Sequence, residues 1–305
     1  MAPPRKLSFQ YVRHGRSETL IDFLMRRFHY HTREQWEERI LLGAVTVNGR
    51  TIAPGHVLAS KDHIVYVPPA APEPPVDARF TVLYDDAALL AVSKSGNIPT
   101  SPSGKYWHNC LLHVLQRELN LPELHSVHRL DRETSGVNLF AKTRRAAALL
   151  GGAFASGRVE KRYAAIVRGR FPAPEILVNA PLRHAGSEVS IKQAVHPAGR
   201  PSVTRFRLRA LLPRASLVDV APLTGRTHQI RAHAAFIGYP IWGDRLYGAS
   251  EDQFIAWLHS PVRDWNARHL LHATELRFSH PETGAEVIVR DGAGAIVRGF
   301  LAGGG

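Results

Sequence analysis

One cysteine, Cys110, stands in the 305-residue chain. An internal disulfide and a cysteine-rich zinc knuckle are therefore both excluded, which fits a reducing, cytosolic setting. No stretch approaches the roughly 18 consecutive apolar residues of a spanning helix. The N-terminal MAPPRKLSFQ also lacks the apolar core of a secretory signal. Lysine is scarce: seven of the 39 basic residues are Lys and the other 32 are Arg. Acid is in the minority, with 26 Asp plus Glu, so the formal charge is +13 and the pI about 10.3. A GC-rich coding bias explains a preference for Arg over Lys, but not the net charge. That excess points to a polyanion, nucleic acid before membrane. Arginine's planar fork suits it, because it binds phosphate through paired hydrogen bonds and stacks on bases.

Five prolines in the eight residues 68–75 forbid helix and ladder alike. They predict a semi-rigid linker over 68–78 between a small domain, 1–67, and a large one, 79–305. In the small domain, Leu20, Leu24 and Phe28 mark one amphipathic helix, and TREQ at Thr32 is a capping box opening a second that carries Trp36 and Ile40. Val45 to Val47, a turn at Asn48-Gly49 and Thr51-Ile52 read as a hairpin, with a further strand at Ile64 to Val67. Up to residue 70 there are ten basic groups against six acidic ones, so basic surface is spread over both domains. Downstream, strands are expected at Phe80 to Tyr84, Leu89 to Val92, Val137 to Ala141, Tyr163 to Val167, Val203 to Arg209 and Leu217 to Val220. Helices are expected through Leu111 to Leu119, Ala146 to Phe154 and His228 to Ile237, before a frayed glycine tail. Strands joined by short turns indicate an α+β fold with a mixed, largely antiparallel sheet flanked by helices. Alternation puts Arg205, Arg207 and Arg209 on one strand face, which requires an anion: either a ligand or nearby acids.

Two segments are dense in polar groups. Val127 to Gly136 (VHRLDRETSG) is a polar turn entering an apolar strand, and Thr224 to His233 (TGRTHQIRAH) is a glycine turn opening a helix. Bland readings exist for both. Asp131 with Arg129 or Arg132 would make a surface salt bridge contributing little, and Thr227 would serve as an N-cap. A metal site is disfavoured despite 17 histidines. His228 and His233 are five apart and splay around a helix, and HExxH is absent. GxSxG and GxxxxGK[ST] are missing too, so neither a nucleophile-elbow hydrolase nor a P-loop enzyme is indicated.

HRLDRETSGVNLFAKT is similar to the HRLDxxTSG signature of RluA-type RNA pseudouridine synthases. TGRTHQIRAHAAFIGYPIWGDRLYG resembles their second long signature. VLYDDAALLAVSKSGNIPTSPSG, EKRYAAIVRG and LLHATELRFSHPETG agree in order, from about Arg79 to Val289. The first domain, through its VNG turn, resembles the small α/β RNA-binding domain named after ribosomal small-subunit protein four. Asn138 and Ser95 depart from the family pattern, where an apolar residue and a proline are usual.

The resemblance implies isomerisation of uridine in RNA, ribosomal or transfer, with neither cofactor nor metal; with the lone cysteine, a cytoplasmic protein is expected, and a monomer. It implies Asp131 as the essential carboxylate and Arg231 as the cation keeping it ionised. Arg129 would replace the flipped base, Tyr163 and Ile230 would pack on the uracil, and Arg226 with amides near Thr227 would take a phosphate. The alternatives are an RNA-binding or ribosome-assembly factor without activity, and a hydrolase that releases free uracil.

Overall fold

The computed structural model describes residues 6–13, 17–28, 31–69, 72–186, 189, 191–260 and 268–302. Ala70 and Ala71 of the proline-rich stretch, Arg5 and Arg16 of the basic set and Gly303 to Gly305 of the tail lie outside them. The chain divides into two compact units, Met1–Pro72 and Glu73–Gly305.

The first unit runs β1 (Leu7–Gln10), α1 (Leu20–Arg27), α2 (Arg33–Leu41), β2 (Val45–Val47) and β3 (His63–Tyr66). Its three strands form an antiparallel sheet in the order β1-β3-β2. The Thr32–Gln35 capping box starts α2, whose Trp36 and Ile40 join Leu20, Leu24, Val45 and Ile64 in one core. The hairpin read at 45–52 is half there. Asn48 and Gly49 adopt the two positive φ values of the turn (51° and 77°), but Thr51-Ile52 is no strand, and β2 pairs with β3 instead. The Asn48 side chain causes this: it donates to Asp62 and accepts from the His63 amide, so the turn is tied to the later strand.

The second unit contains β4 (Phe80–Asp85), β5 (Leu89–Lys94), α3 (Leu111–Glu118), β6 (His125–Ser126), β7 (Ser135–Ala141), α4 (Arg144–Ala155), β8 (Glu160–Arg168) and β9 (Glu175–Asn179). It continues through β10 (Leu182–His184), β11 (Gln193–Val195), β12 (Val203–Leu212), β13 (Ala215–Pro222), α5 (Gln229–Phe236), α6 (Glu251–His259), β14 (Leu271–Ser279), β15 (Glu286–Arg290) and α7 (Gly294–Ala302). A ten-stranded sheet runs β4-β5-β7-β14-β8-β13-β12-β9, with β15 on β14 and β6 on β7. Only the β7–β14 pairing is parallel among the described strands, so the fold is α+β with a mixed, largely antiparallel sheet.

Alternation along the strands distributes helices over both faces. Ala165 and Val167 of β8 pack with Ile230 and Ala234 of α5, while Ala164 and Ile166 pack with Ile296 and Phe300 of α7. Glu73 and Asp77, in the stretch read as linker, belong to this unit. The Glu73 carboxylate accepts from the amides of Trp107, His108 and Asn109, and the Ser95 hydroxyl donates to the Asp77 carbonyl. Of the three-arginine face, Arg205 meets Glu175 at 3.3 Å and Arg209 meets Asp219 at 3.6 Å, so acids of the sheet supply the anions there. No helix among the described residues is long and apolar enough to cross a membrane.

At Gly136 the backbones of β7 and β14 leave no room for a side chain. The φ of Gly136 is +105°, and a Cβ there would collide with the backbone carbonyl of Ala273 across the parallel pair. Gly136→Ala is expected to cost about 3 kcal/mol or more, since backbone cannot yield as a side-chain tip can. Urea unfolding measures this, and a loss under about 1 kcal/mol would show that β14 relaxes freely.

Candidate active site

The HRLD turn is fixed from beneath. Lys94, at the end of β5, is 1% exposed and donates through Nζ to the carbonyls of Ser95, Ile98 and Arg132. Burial and the Arg268 charge push its pKa well down, but three carbonyl acceptors around one ammonium favour the protonated form. Thr100 accepts from the Leu130 amide and donates to Asn138, so the departure at Asn138 is a buried polar anchor. His128 accepts the Leu139 amide on Nε2 at 2.9 Å and stacks on Phe154. Leu130, with its back to the core, thus leaves Asp131 at the surface of the turn with a side chain 29% exposed.

The HQIR segment arrives from α5. Arg231 is 7% exposed and splits its fork: Nη1 donates to Asp131 Oδ2 at 2.9 Å, while Nε and Nη2 grip both oxygens of Asp244 at 2.7 and 2.9 Å. Asp244 Oδ1 also accepts from the amides of Leu246 and Tyr247, and the Tyr247 ring lies 5.1 Å from the guanidinium. Burial opposes charge at Arg231, but the facing carboxylates hold its pKa well above the ordinary value. For Asp131, burial raises the pKa, but His228, Arg231 and His269 outweigh it and bring it down to about 2. The carboxylate is therefore ionised at neutral pH.

His228, in left-handed conformation at the head of α5, puts Nε2 3.8 Å from Asp131 Oδ2. The Gln193 amide donates to the Tyr247 hydroxyl, whose own proton is then free for His228 Nδ1 at 3.1 Å. With the Tyr247 hydroxyl assigned as donor, the histidine proton sits on Nε2, 3.8 Å from the carboxylate. Thr227 is not the helix cap: His228 takes that position, without a side-chain cap bond. His233 points elsewhere, between Thr204 and the Ala180 carbonyl.

The remaining predicted residues divide. Tyr163 and Ile230 share one cluster, and Tyr163 is near enough to Asp131 that, after burial, the carboxylate raises its pKa further. Arg129 is exposed and makes no hydrogen bond or ion pair to another described residue. Among the described residues the Arg226 side chain reaches only the Pro201 carbonyl. Its amide is already taken by the Gln229 side chain, so that donor is not open to a phosphate.

The sequence reading missed Asp244, His228, Tyr247 and Lys94. Asp244 lay inside the GDRLYG segment, and the requirement that a buried guanidinium find a second carboxylate was the available signal.

His128 and His228 predict a pH effect. Burial and the Lys161 charge hold His128 at about 3, and burial holds His228 at about 4 despite Asp131. Both sit below the ordinary 6.5, so the unfolded chain binds these protons first and stability falls as pH drops from 6.5 toward 4. The urea midpoint should accordingly be lower at pH 5 than at pH 7. Equal midpoints would contradict two neutral buried imidazoles.

The family described as RNA pseudouridylate synthase matches residues 88–236. Ribosomal large subunit pseudouridine synthase C of Vibrio vulnificus is 37% identical over 257 residues, covering 79% of this chain and 78% of that protein. A pseudouridylate synthase of Mus musculus is 38% identical over 179 residues, 58% of this chain but 32% of that protein, so the chain spans about a third of that relative's length. Among solved structures, human RNA Pseudouridylate Synthase Domain Containing 1 has a TM-score of 0.58 at 25% identity, covering 72% of this chain and 86% of that one.

Proposed function

The chain belongs to the RNA pseudouridylate synthase family, and we propose that it isomerises uridines of structured RNA, ribosomal or transfer, with Asp131 as the single essential carboxylate. The observation carrying this reading is the Asp131–Arg231–Asp244 arrangement, in which a half-open carboxylate is kept ionised by a cation that a second acid immobilises. A surface salt bridge would need no such backing.

The reaction breaks the bond from ribose C1′ to uracil N1 and forms one from C1′ to C5. The C5 proton leaves and N1 gains one, so nothing is oxidised or hydrolysed. One carboxylate acting on the ribose suffices, as nucleophile at C1′ or base at C2′. The uridine must leave its stack first. Arg129, exposed and without a hydrogen-bond or ion-pair partner among the described residues, is suited to fill the vacated place. Tyr163 and Ile230 offer the apolar wall for the uracil, and Arg226 a cation at the rim. The first unit, through its resemblance, would dock RNA and choose the target.

Incubation with unmodified ribosomal and transfer RNA transcripts, followed by carbodiimide mapping, tests this. New pseudouridines with no release of uracil are expected. Free uracil would mean a hydrolase, and binding without either product would mean an inactive assembly factor. Mapping in a strain lacking the gene then identifies the uridine.

A further inference from the structure

Beside the Asp131 site lie two cations that have no acid at ion-pair distance among the described residues. Alternation along β8 puts Lys161 on the same face as Tyr163, whereas Arg162, on the other face, meets Glu275 at 3.8 Å. Lys161 is half-buried, and among the described residues its Nζ donates only to the Thr224 carbonyl, at 3.3 Å. Arg226, two residues on in that same turn, reaches only the Pro201 carbonyl among the described residues, at 3.2 Å. Among the described residues neither has a carboxylate at ion-pair distance. Other arginines of the same sheet, such as Arg205 and Arg209, do find acids.

Burial lowers the pKa of Lys161, and the Arg226 charge lowers it further, so the two cations repel in the free protein. The turn cannot swing away to relieve this. The Gln229 side chain accepts from the Thr224 hydroxyl at 2.7 Å and from the Arg226 amide at 3.0 Å, and donates to the Val203 carbonyl and Thr204 hydroxyl. Exposed Gly225 links Thr224 to Arg226, and a Cβ there would lie 3.5 Å from Lys161 Nζ. On its other side Lys161 is close enough to the HRLD turn for its charge to act on His128.

A rigid, half-desolvated cation pair open to solvent and lacking an acid is short of one anion. We propose that Lys161 and Arg226 together hold a single phosphodiester of the RNA strand beside the flipped uridine. This rests on the isomerase reading and adds Lys161 as a substrate-binding residue that fixes strand register at the Tyr163 wall.

The shared phosphate has a signature in salt dependence. Binding of fluorescein-labelled dodecauridylate is measured by anisotropy over a series of NaCl concentrations, for wild type, Lys161→Met, Arg226→Met and the double variant. One phosphate contact on a single strand contributes about 0.7 to the slope of log K against log salt. Each single variant should lose about that much, and the double variant no more than either single. Additive losses would mean two separate phosphates, and an unchanged slope in Lys161→Met would mean none; either overturns the inference. Lys161→Arg should retain the wild-type slope, and its loss would show that lysine acts on the fold instead. Wild type that shows these slopes but makes no pseudouridine would refute the isomerase reading and leave the phosphate contact standing.

Discussion

Asp131→Asn is expected to lower pseudouridine formation by at least about 10⁴-fold while RNA affinity stays within about threefold. The amide has the shape of the carboxylate, and its oxygen can still accept from Arg231 Nη1. What it loses is the charge. Asparagine has no lone pair basic or nucleophilic enough to act on the ribose. Arg231 keeps both oxygens of Asp244, so the substitution strands no buried cation and folding should be nearly unaffected. The loss therefore reads on chemistry alone. Single-turnover mapping with saturating enzyme, paired with anisotropy on the same RNA, separates the two effects. Turnover within tenfold of wild type would remove Asp131 from the mechanism.

Much of the fold was legible because it is locally encoded. Thr32 and Gln35 cap α2 as their spacing requires, and largely apolar runs such as Val137 to Ala141, Asn138 apart, lie in the buried strand β7. What escaped was non-local. β14 carries the motif segment LLHATELRFS, but nothing in its own residues says that it pairs parallel with β7 on one side and antiparallel with β8 on the other. Asn48 bent the hairpin reading through a bond to a strand fifteen residues on.

The site shows the same division. Asp131 and Arg231 could be named from their motifs, and they meet at 2.9 Å. The hydrogen-bond chain from Gln193 through Tyr247 to His228 joins three distant segments and has no sequence signal. Nor did the arginine stripe at 205–209 declare its partners until the register of β9 and β13 set Glu175 and Asp219 beside it.

Asp244→Ala should have the second largest effect, and on two observables at once. Asp244 has a fully buried side chain that carries two of the three Arg231 ion-pair hydrogen bonds. Its removal leaves a guanidinium in the interior with Asp131 as its one remaining ion-pair partner among the described residues, and the amides of Leu246 and Tyr247 lose their acceptor. Breaking a buried pair from one side costs about 3–5 kcal/mol, far more than the net worth of the pair, because the other charge stays desolvated. Arg231, released, is expected to turn its fork onto Asp131 and cover both oxygens. The carboxylate would remain ionised but be poorly placed against the ribose, lowering the single-turnover rate by about 10²-fold. Asp244→Asn separates the two causes: it still accepts one bond and fills the space, so it should recover part of the stability while the rate stays low, since the amide cannot hold the guanidinium in both directions. Urea unfolding together with single-turnover rates on both variants decides this. If Asp244→Ala kept its rate while losing stability, Asp244 would only be supporting the fold, and Arg231 would be positioned by α5 and the Tyr247 ring alone.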